Sequence, residues 1–378
     1  MPTKQTRAMD RKILHEMMSI PTAPFAEHLV IDYVVRALSP LPSVTRTRDT
    51  AGNLLVHIKQ GRRQTRRPVC ITAHLDHPGF VADRMTKRAL RAFWRGGVPP
   101  EYFVGTGVKF WVDDRWVKGK VRHVKVVTKN GRKRVETADI DTTHEVPPGS
   151  IGMWDLPDPR ERGGRIYARG CDDMAGAAAM VCCIHHLVRR QIPCDTYFLF
   201  TRAEEVGFVG AIAAAKLGTI PKKCIVVAME TSSELPHAKM GDGPVLRVGD
   251  RTSVFTPAVT AYCQAVANDL ASRDKKFVFQ RRLMDGGTCE SSAYCQLGYE
   301  ATGMCLALGN YHNVDIRRKK IAPEYIDLAD FDKVVKWFVE LARAVRPYTA
   351  RDKPLLKILD GIERDYRTLV RKTVAGPA

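Results

Sequence analysis

Apolar positions in the first forty residues recur at helical intervals. Ile13, Leu14, Met17 and Met18 share one face, and Ile20-Pro21 closes that segment. A second amphipathic stretch runs from Glu27 to Leu38 and stops before Pro40. The period then changes to that of strands. SVTRTRDT, a turn at AGN and LLVHIK predict a hairpin. Four short, almost continuously apolar runs come next: VCITA (69–73), TYFLFT (196–201), CIVVAM (224–229) and GMCLAL (303–308). Helical stretches separate them, notably MAGAAAMVCCIHHLVRR after Asp172 and LADFDKVVKWFVELARAV near the end. Strands that are apolar on both faces belong to a parallel sheet covered by helices on both sides.

Residues 84–162 break this rhythm. GGVPP, FWVDDRW, VKGKVRHVKVV, a KNGR turn and EVPPGS alternate and turn in the manner of a small β-rich unit. The predicted fold class is therefore α/β: a mixed, mainly parallel sheet flanked by helices, with an inserted β-rich domain. Residues 1–83 and 163–346 would form a discontinuous catalytic domain, 84–162 the insertion, and 347–378 a basic tail, helical in KILDGIERDYRTLVRK.

Composition narrows the picture. The apolar and charged fractions, 44% and 27%, are those of an ordinary globular protein. No apolar run approaches a membrane span, and the first residues lack the apolar core and small-residue cleavage site of a secretory leader. Ten cysteines are scattered without a CxxC pair, which fits a reducing cytoplasm better than a disulfide framework. No membrane partner is expected. The net charge of +19 is concentrated: between Arg84 and Arg134, fifteen Lys/Arg face three Asp/Glu. Such a face could draw an acidic peptide, an acidic partner or nucleic acid, or simply be solvated. No recognised nucleic-acid-binding motif accompanies it. Phe93, Trp94, Phe110, Trp111 and Trp116 offer possible stacking near the charge, and insertion core is their more ordinary role.

The chemistry lies just past the end of each apolar run. VCITA leads into His74 and Asp76, TYFLFT into Glu204-Glu205, CIVVAM into Glu230, and GMCLAL into His312 after a short loop. Asp172, in GCDDMAG, opens a helix. Open parallel sheets bind ligands outside the carboxyl ends of their strands. Each feature alone has a plain explanation: a core histidine, a solvated helix start, an N-cap with an acid after it. Together they form a set of two imidazoles and several carboxylates without thiolate. That set suits zinc, cobalt or manganese at a catalytic site rather than a structural zinc. Five ligands exceed the needs of one open tetrahedral ion and suit two ions sharing a carboxylate. Glu204-Glu205 would then supply one ligand and one general base.

AHLDHPGF, ARGCDDMAG, RAEEVGFVGA, VAMETSS and GNYHN resemble the ordered motifs of co-catalytic zinc exopeptidases, in particular the glutamyl and tetrahedral aminopeptidase family. DTAGNLLV and MGDGPVLRVGD resemble further segments of that family. The resemblance implies a zinc-exopeptidase-like fold and an aminopeptidase acting on short peptides, with two divalent metal ions, zinc foremost. It also implies homo-oligomeric assembly. Residue by residue, it implies that His74 and Glu230 hold one ion and that Glu205 and His312 hold the other. Asp172 would bridge them, joined to Asp173 by a cis peptide. Asp76 would orient the His74 ring, and Glu204 would be the base that deprotonates a water held at the metals. Three positions depart from the family pattern: Glu230 where it usually has Asp, Cys289-Glu290 in place of an Asp-Ala pair, and His77 where many members have Glu. Two other readings stay open. One is an N-deacylase or related amidohydrolase using the same site. The other is a non-catalytic scaffold binding nucleic acid or an acidic partner through the basic insertion.

Overall fold

The computed structural model describes residues 4–61, 67–86, 89–129, 131–343, 348 and 353–372. Parts of three predicted features lie outside these: Lys87-Arg88 and Asn130 of the basic stretch, residues 344–345 of the last helical run before the tail, and residues 347, 349–352 and 373–378 of the tail.

The four apolar runs are the central strands of one eight-stranded sheet. Its spatial order is Val44–Arg48, Leu54–Gln60, Cys194–Thr201, Val69–His74, Ile225–Ser233, Ala301–Leu308, Val245–Asp250 and Gln280–Met284. The middle four pair in parallel. The hairpin Val44–Gln60 adds antiparallel strands at one edge, and Val245–Asp250 joins antiparallel at the other. The sheet is thus mixed and mainly parallel, as the patterning predicts. Every residue of Val69–His74 and Ala301–Leu308 is buried, which is why these strands read as unbroken apolar runs.

The helix Met174–Arg189 is buried from Met174 to Val188. It packs against the sheet and against the helices Lys4–Ser19 and Leu328–Arg343. Its small-residue start permits this: a Cβ on Gly176 would stand 2.4 Å from the Asp173 carboxylate and 2.5 Å from Met229. Larger residues there would push the helix off the sheet.

Between Gly79 and Trp154 the chain forms a separate closed six-stranded barrel. Phe80, Trp94, Phe103, Phe110 and Trp154 fill it, with ring centroids 4.6–6.2 Å apart. Trp94 and Phe110 are therefore core, whereas Phe93 is exposed. Trp111 and Trp116 pack edge to face, and the Lys109 and Arg169 cations lie over Trp116. The ribbon made by Arg115–Lys129 and Arg132–Asp141 outruns its barrel neighbours, whose pairing ends at Lys120 and Thr137. Much of the positive charge sits on that overhang. The small sheet Arg160–Arg162, Arg165–Ala168 and Glu324–Asp327 lies beyond the barrel. The tail contains the helix Lys353–Lys372, with Ile358, Leu359, Ile362 and Leu369 exposed. None of the ten cysteines forms a disulfide, and all but Cys295 are buried.

Candidate metal centre

The carboxyl edge of the sheet gathers all seven residues singled out by sequence. His74 ends its strand. Its Nδ1–H donates to the backbone carbonyl of Asp76 (3.0 Å), so Nε2 is the nitrogen turned toward the carboxylates. Nε2 stands 3.3 Å from Asp172 Oδ1, 3.3 Å from Glu230 Oε1 and 4.0 Å from Glu204 Oε2. Glu230 lies within its strand, which runs on to Ser233, so the apolar run ends before the strand does.

Asp76 does more than the resemblance implies. Its carboxylate is 3.6 Å from the His74 ring, and its two oxygens accept from the backbone N–H groups of Glu204 (2.9 Å) and Glu205 (3.0 Å). Glu27, fully buried, holds the same loop from the other side. It accepts from the N–H of Ala203 and from the Arg202 guanidinium, at 3.0 and 2.7 Å. Two carboxylates thereby fix a loop in which Ala203 takes the left-handed conformation (φ 53).

Asp172 precedes the helix beginning at Met174, and its peptide to Asp173 is cis. Asp173 caps that helix, accepting from Gly176 N–H (3.2 Å) and from the Thr231 hydroxyl (2.7 Å). His312 sits in a single 3-10 turn, Tyr311–Asn313, with φ 54. Its Nδ1–H donates to the carbonyl of Gly97 (2.9 Å), which belongs to a barrel loop. Its Nε2 approaches Glu205 Oε2 (3.0 Å) and Asp172 Oδ2 (3.7 Å) without hydrogen-bond alignment.

Three atoms are decisive. Asp172 Oδ1, Glu205 Oε1 and His312 Nε2 are buried and have no hydrogen-bond partner. Orphaned buried acceptors are costly unless another species satisfies them. Potential ligand atoms of His74, Asp172 and Glu205 lie within 4.8 Å of one another. Five carboxylates (Asp76, Asp172, Glu204, Glu205 and Glu230) share this space with two imidazoles. Burial, then the charge of Glu230, lifts the Asp172 carboxyl well above the usual range, although His74 opposes this. Burial likewise raises Glu204, with Glu230, Glu205 and Asp76 adding to it against His74. Glu230 goes the other way: burial raises it, but its contacts with His74 and Asp172 and the charge of Arg247 together outweigh burial. Such a cluster is short of positive charge, and the donor set fits divalent cations.

Several residues at the site were not singled out by the sequence as ligands or catalytic groups, Glu290 being noted there only as a departure from the family motif. Gly97 contributes only a backbone carbonyl. Arg247 lines the cleft together with Asp172, Glu204, Glu230 and Tyr311. It is 2% exposed, donates to the Ser232 hydroxyl (3.1 Å), and has no carboxylate within 4.0 Å among the described residues. The Tyr311 ring stacks on His312 with centroids 3.8 Å apart. Glu290 is buried near His74 and accepts from the Thr72 hydroxyl (3.3 Å). Burial pushes its carboxyl up to about 7.

A helix-flanked sheet with such an edge and an inserted barrel defines a class of peptide-bond hydrolases. The chain belongs to the M42 glutamyl aminopeptidase family, whose profile matches residues 52–315. A protein of Acetivibrio thermocellus with a provisional aminopeptidase name is 24% identical over 306 residues, covering 77% of this chain and 86% of its own. Among solved structures, the Pyrococcus horikoshii TET1 peptidase superposes with a TM-score of 0.71 at 21% identity, over 88% of this chain and 99% of its own. That peptidase can assemble into a tetrahedron or a large octahedral shell. Aminopeptidase APDkam598 from Desulfurococcus kamchatkensis gives a TM-score of 0.72 at 20% identity, over 89% and 95%. Among the described residues, no helix is long and apolar enough to cross a membrane.

Proposed function

We propose that the chain is a two-metal aminopeptidase removing N-terminal residues, acidic ones preferentially, from short peptides. The observation that carries this is the meeting of His74, Asp172, Glu205, Glu230 and His312 with ligand atoms left unsatisfied, beside Glu204. In this reading His74 and Glu230 would hold one ion and Glu205 and His312 the other, with Asp172 available to both. Bound divalent ions, zinc foremost, would polarise the scissile carbonyl and acidify a water.

The rest belongs to the chain. Glu204 faces the cleft, and its backbone is held by Asp76, so its carboxylate is placed to take a proton from the attacking water. The same carboxyl then passes that proton to the leaving amine. Arg247 supplies a buried cation in the cleft wall that, among the described residues, has no carboxylate within 4.0 Å, although the charges of Glu230 and Asp250 reach it. It would accept the side-chain carboxylate of an N-terminal Glu or Asp, because a buried guanidinium gains most from an anion reaching it away from water. Assembly into a homo-oligomer is part of the proposal, by likeness to the TET1 peptidase.

Metal analysis beside kinetics tests it. Wild type and Glu204→Gln should both hold two ions per chain, while cleavage of aminoacyl anilides falls at least ~1000-fold only in the variant. Cleavage that survives EDTA, or a fully active Glu204→Gln, would sink the reading. Arg247→Met should lose about 100-fold on glutamyl substrates and little on leucyl ones. Faster cleavage of N-acyl amino acids than of free amines would favour the deacylase instead.

A further inference from the structure

We propose that Glu324 is the positioning residue for the half of the centre formed by Asp172 and His312, and that it sets how tightly the second ion is held. This rests on the two-ion reading above. Glu324 opens the strand Glu324–Asp327 and is fully buried. Its Oε2 accepts from the backbone N–H groups of Cys171 (2.6 Å) and Asp172 (3.1 Å), and its Oε1 accepts from that of His312 (2.8 Å). One carboxylate therefore spans two segments remote in sequence, each ending in a ligand of the same half-site.

Neither segment is fixed by regular secondary structure. Asp172 lies just outside its helix, and Asn310, His312 and Asn313 all have positive φ (55, 54 and 64). Non-glycine residues rest there only when their surroundings hold them. A lateral arm completes the hold. The His77 ring donates from Nδ1 to the Asp172 carbonyl (2.7 Å), and its Nε2 meets Asn313 Oδ1 (3.1 Å). The Asn313 amide in turn donates to the Arg169 carbonyl (2.7 Å), which fixes which way its oxygen points. Nothing comparable from Glu324 reaches His74 or Glu230, so its influence falls chiefly on the half-site of His312 and reaches the other ion only through Asp172.

Glu324→Gln separates this role from bulk stability. The glutamine has one acceptor oxygen and can present it to Cys171 and Asp172 or to His312, but not to both. Cobalt titrations of the metal-free protein, monitored by visible absorption, read each ion in turn. Wild type should bind two equivalents. In Glu324→Gln the first should bind within two-fold of wild type. The second should bind at least ten-fold more weakly, with an altered absorption band. Unchanged second-ion affinity and spectrum would overturn the inference, and so would equal weakening of both ions, which marks a merely structural carboxylate. Should Glu324→Gln lack a cooperative melt, Asn313→Ala decides: a second-ion affinity reduced about three-fold supports the role, and an unchanged one overturns it. Wild type binding fewer than two ions would overturn the two-ion reading itself and this inference with it.

Discussion

The barrel and the sheet edge bury side chains to opposite ends. Five large rings fill the barrel, and among its described residues only one buried side-chain polar atom lacks a partner, the Trp154 indole nitrogen. At the sheet edge, Asp172, Asp173, Glu205, Arg247, Glu290 and His312 each leave one unsatisfied. The barrel interior is a source of stability. The sheet edge keeps an electrostatic conflict in place and relies on the surrounding strands and loops to hold it. An enzyme of this shape draws its stability from one region and its reactivity from the other.

Three experiments press on that contrast. Trp154→Ala removes a ring packed against Phe80, Trp94 and Phe103 and should cost ~3–5 kcal/mol by chemical denaturation. A loss below about 1 kcal/mol would mean that the barrel is not a tightly packed core. Glu290→Gln, measured in EDTA, should act in the other direction. The folded protein keeps the Glu290 proton up to about 7, whereas the unfolded chain releases it near 4.5. Between those values the folded state binds more protons, so stability contributed by this site falls as pH rises. The variant should match wild type near pH 4 and gain up to about 3 kcal/mol by pH 8, read from paired melting curves. A variant less stable than wild type at pH 8 would show that the carboxylate is compensated after all. The smallest effect belongs to the overhanging ribbon. Lys125 and Glu136 pair at 2.5 Å but are 57% and 44% exposed, so Lys125→Ala should change stability by less than about 0.5 kcal/mol.

Sequence patterning revealed the central strands because burial on both faces leaves no polar interruption, as in VCITA and GMCLAL. It pointed to the candidate ligands because each such run gives way to a side chain that belongs outside a core. What it missed works through the backbone or through pairing at a distance. Gly97 acts by its carbonyl, and Glu324 by accepting from N–H groups of residues far along the chain. Asp76, expected beside the His74 ring, also anchors the Glu204-Glu205 loop through two backbone N–H groups. Arg247 sits in a strand whose pattern gives no hint that its buried cation faces the cleft.

The contact between the Gly97 carbonyl and the His312 ring reaches beyond local geometry. Gly96, beside it, takes φ +130 with Pro78 so close that a Cβ would stand 2.5 Å away, so this bend tolerates little besides glycine. A module that lends a carbonyl to its host's imidazole is no detachable accessory. Trimming the barrel from the gene, or swapping in another of equal size, would leave that ring free to swivel unless the replacement restored the same short loop.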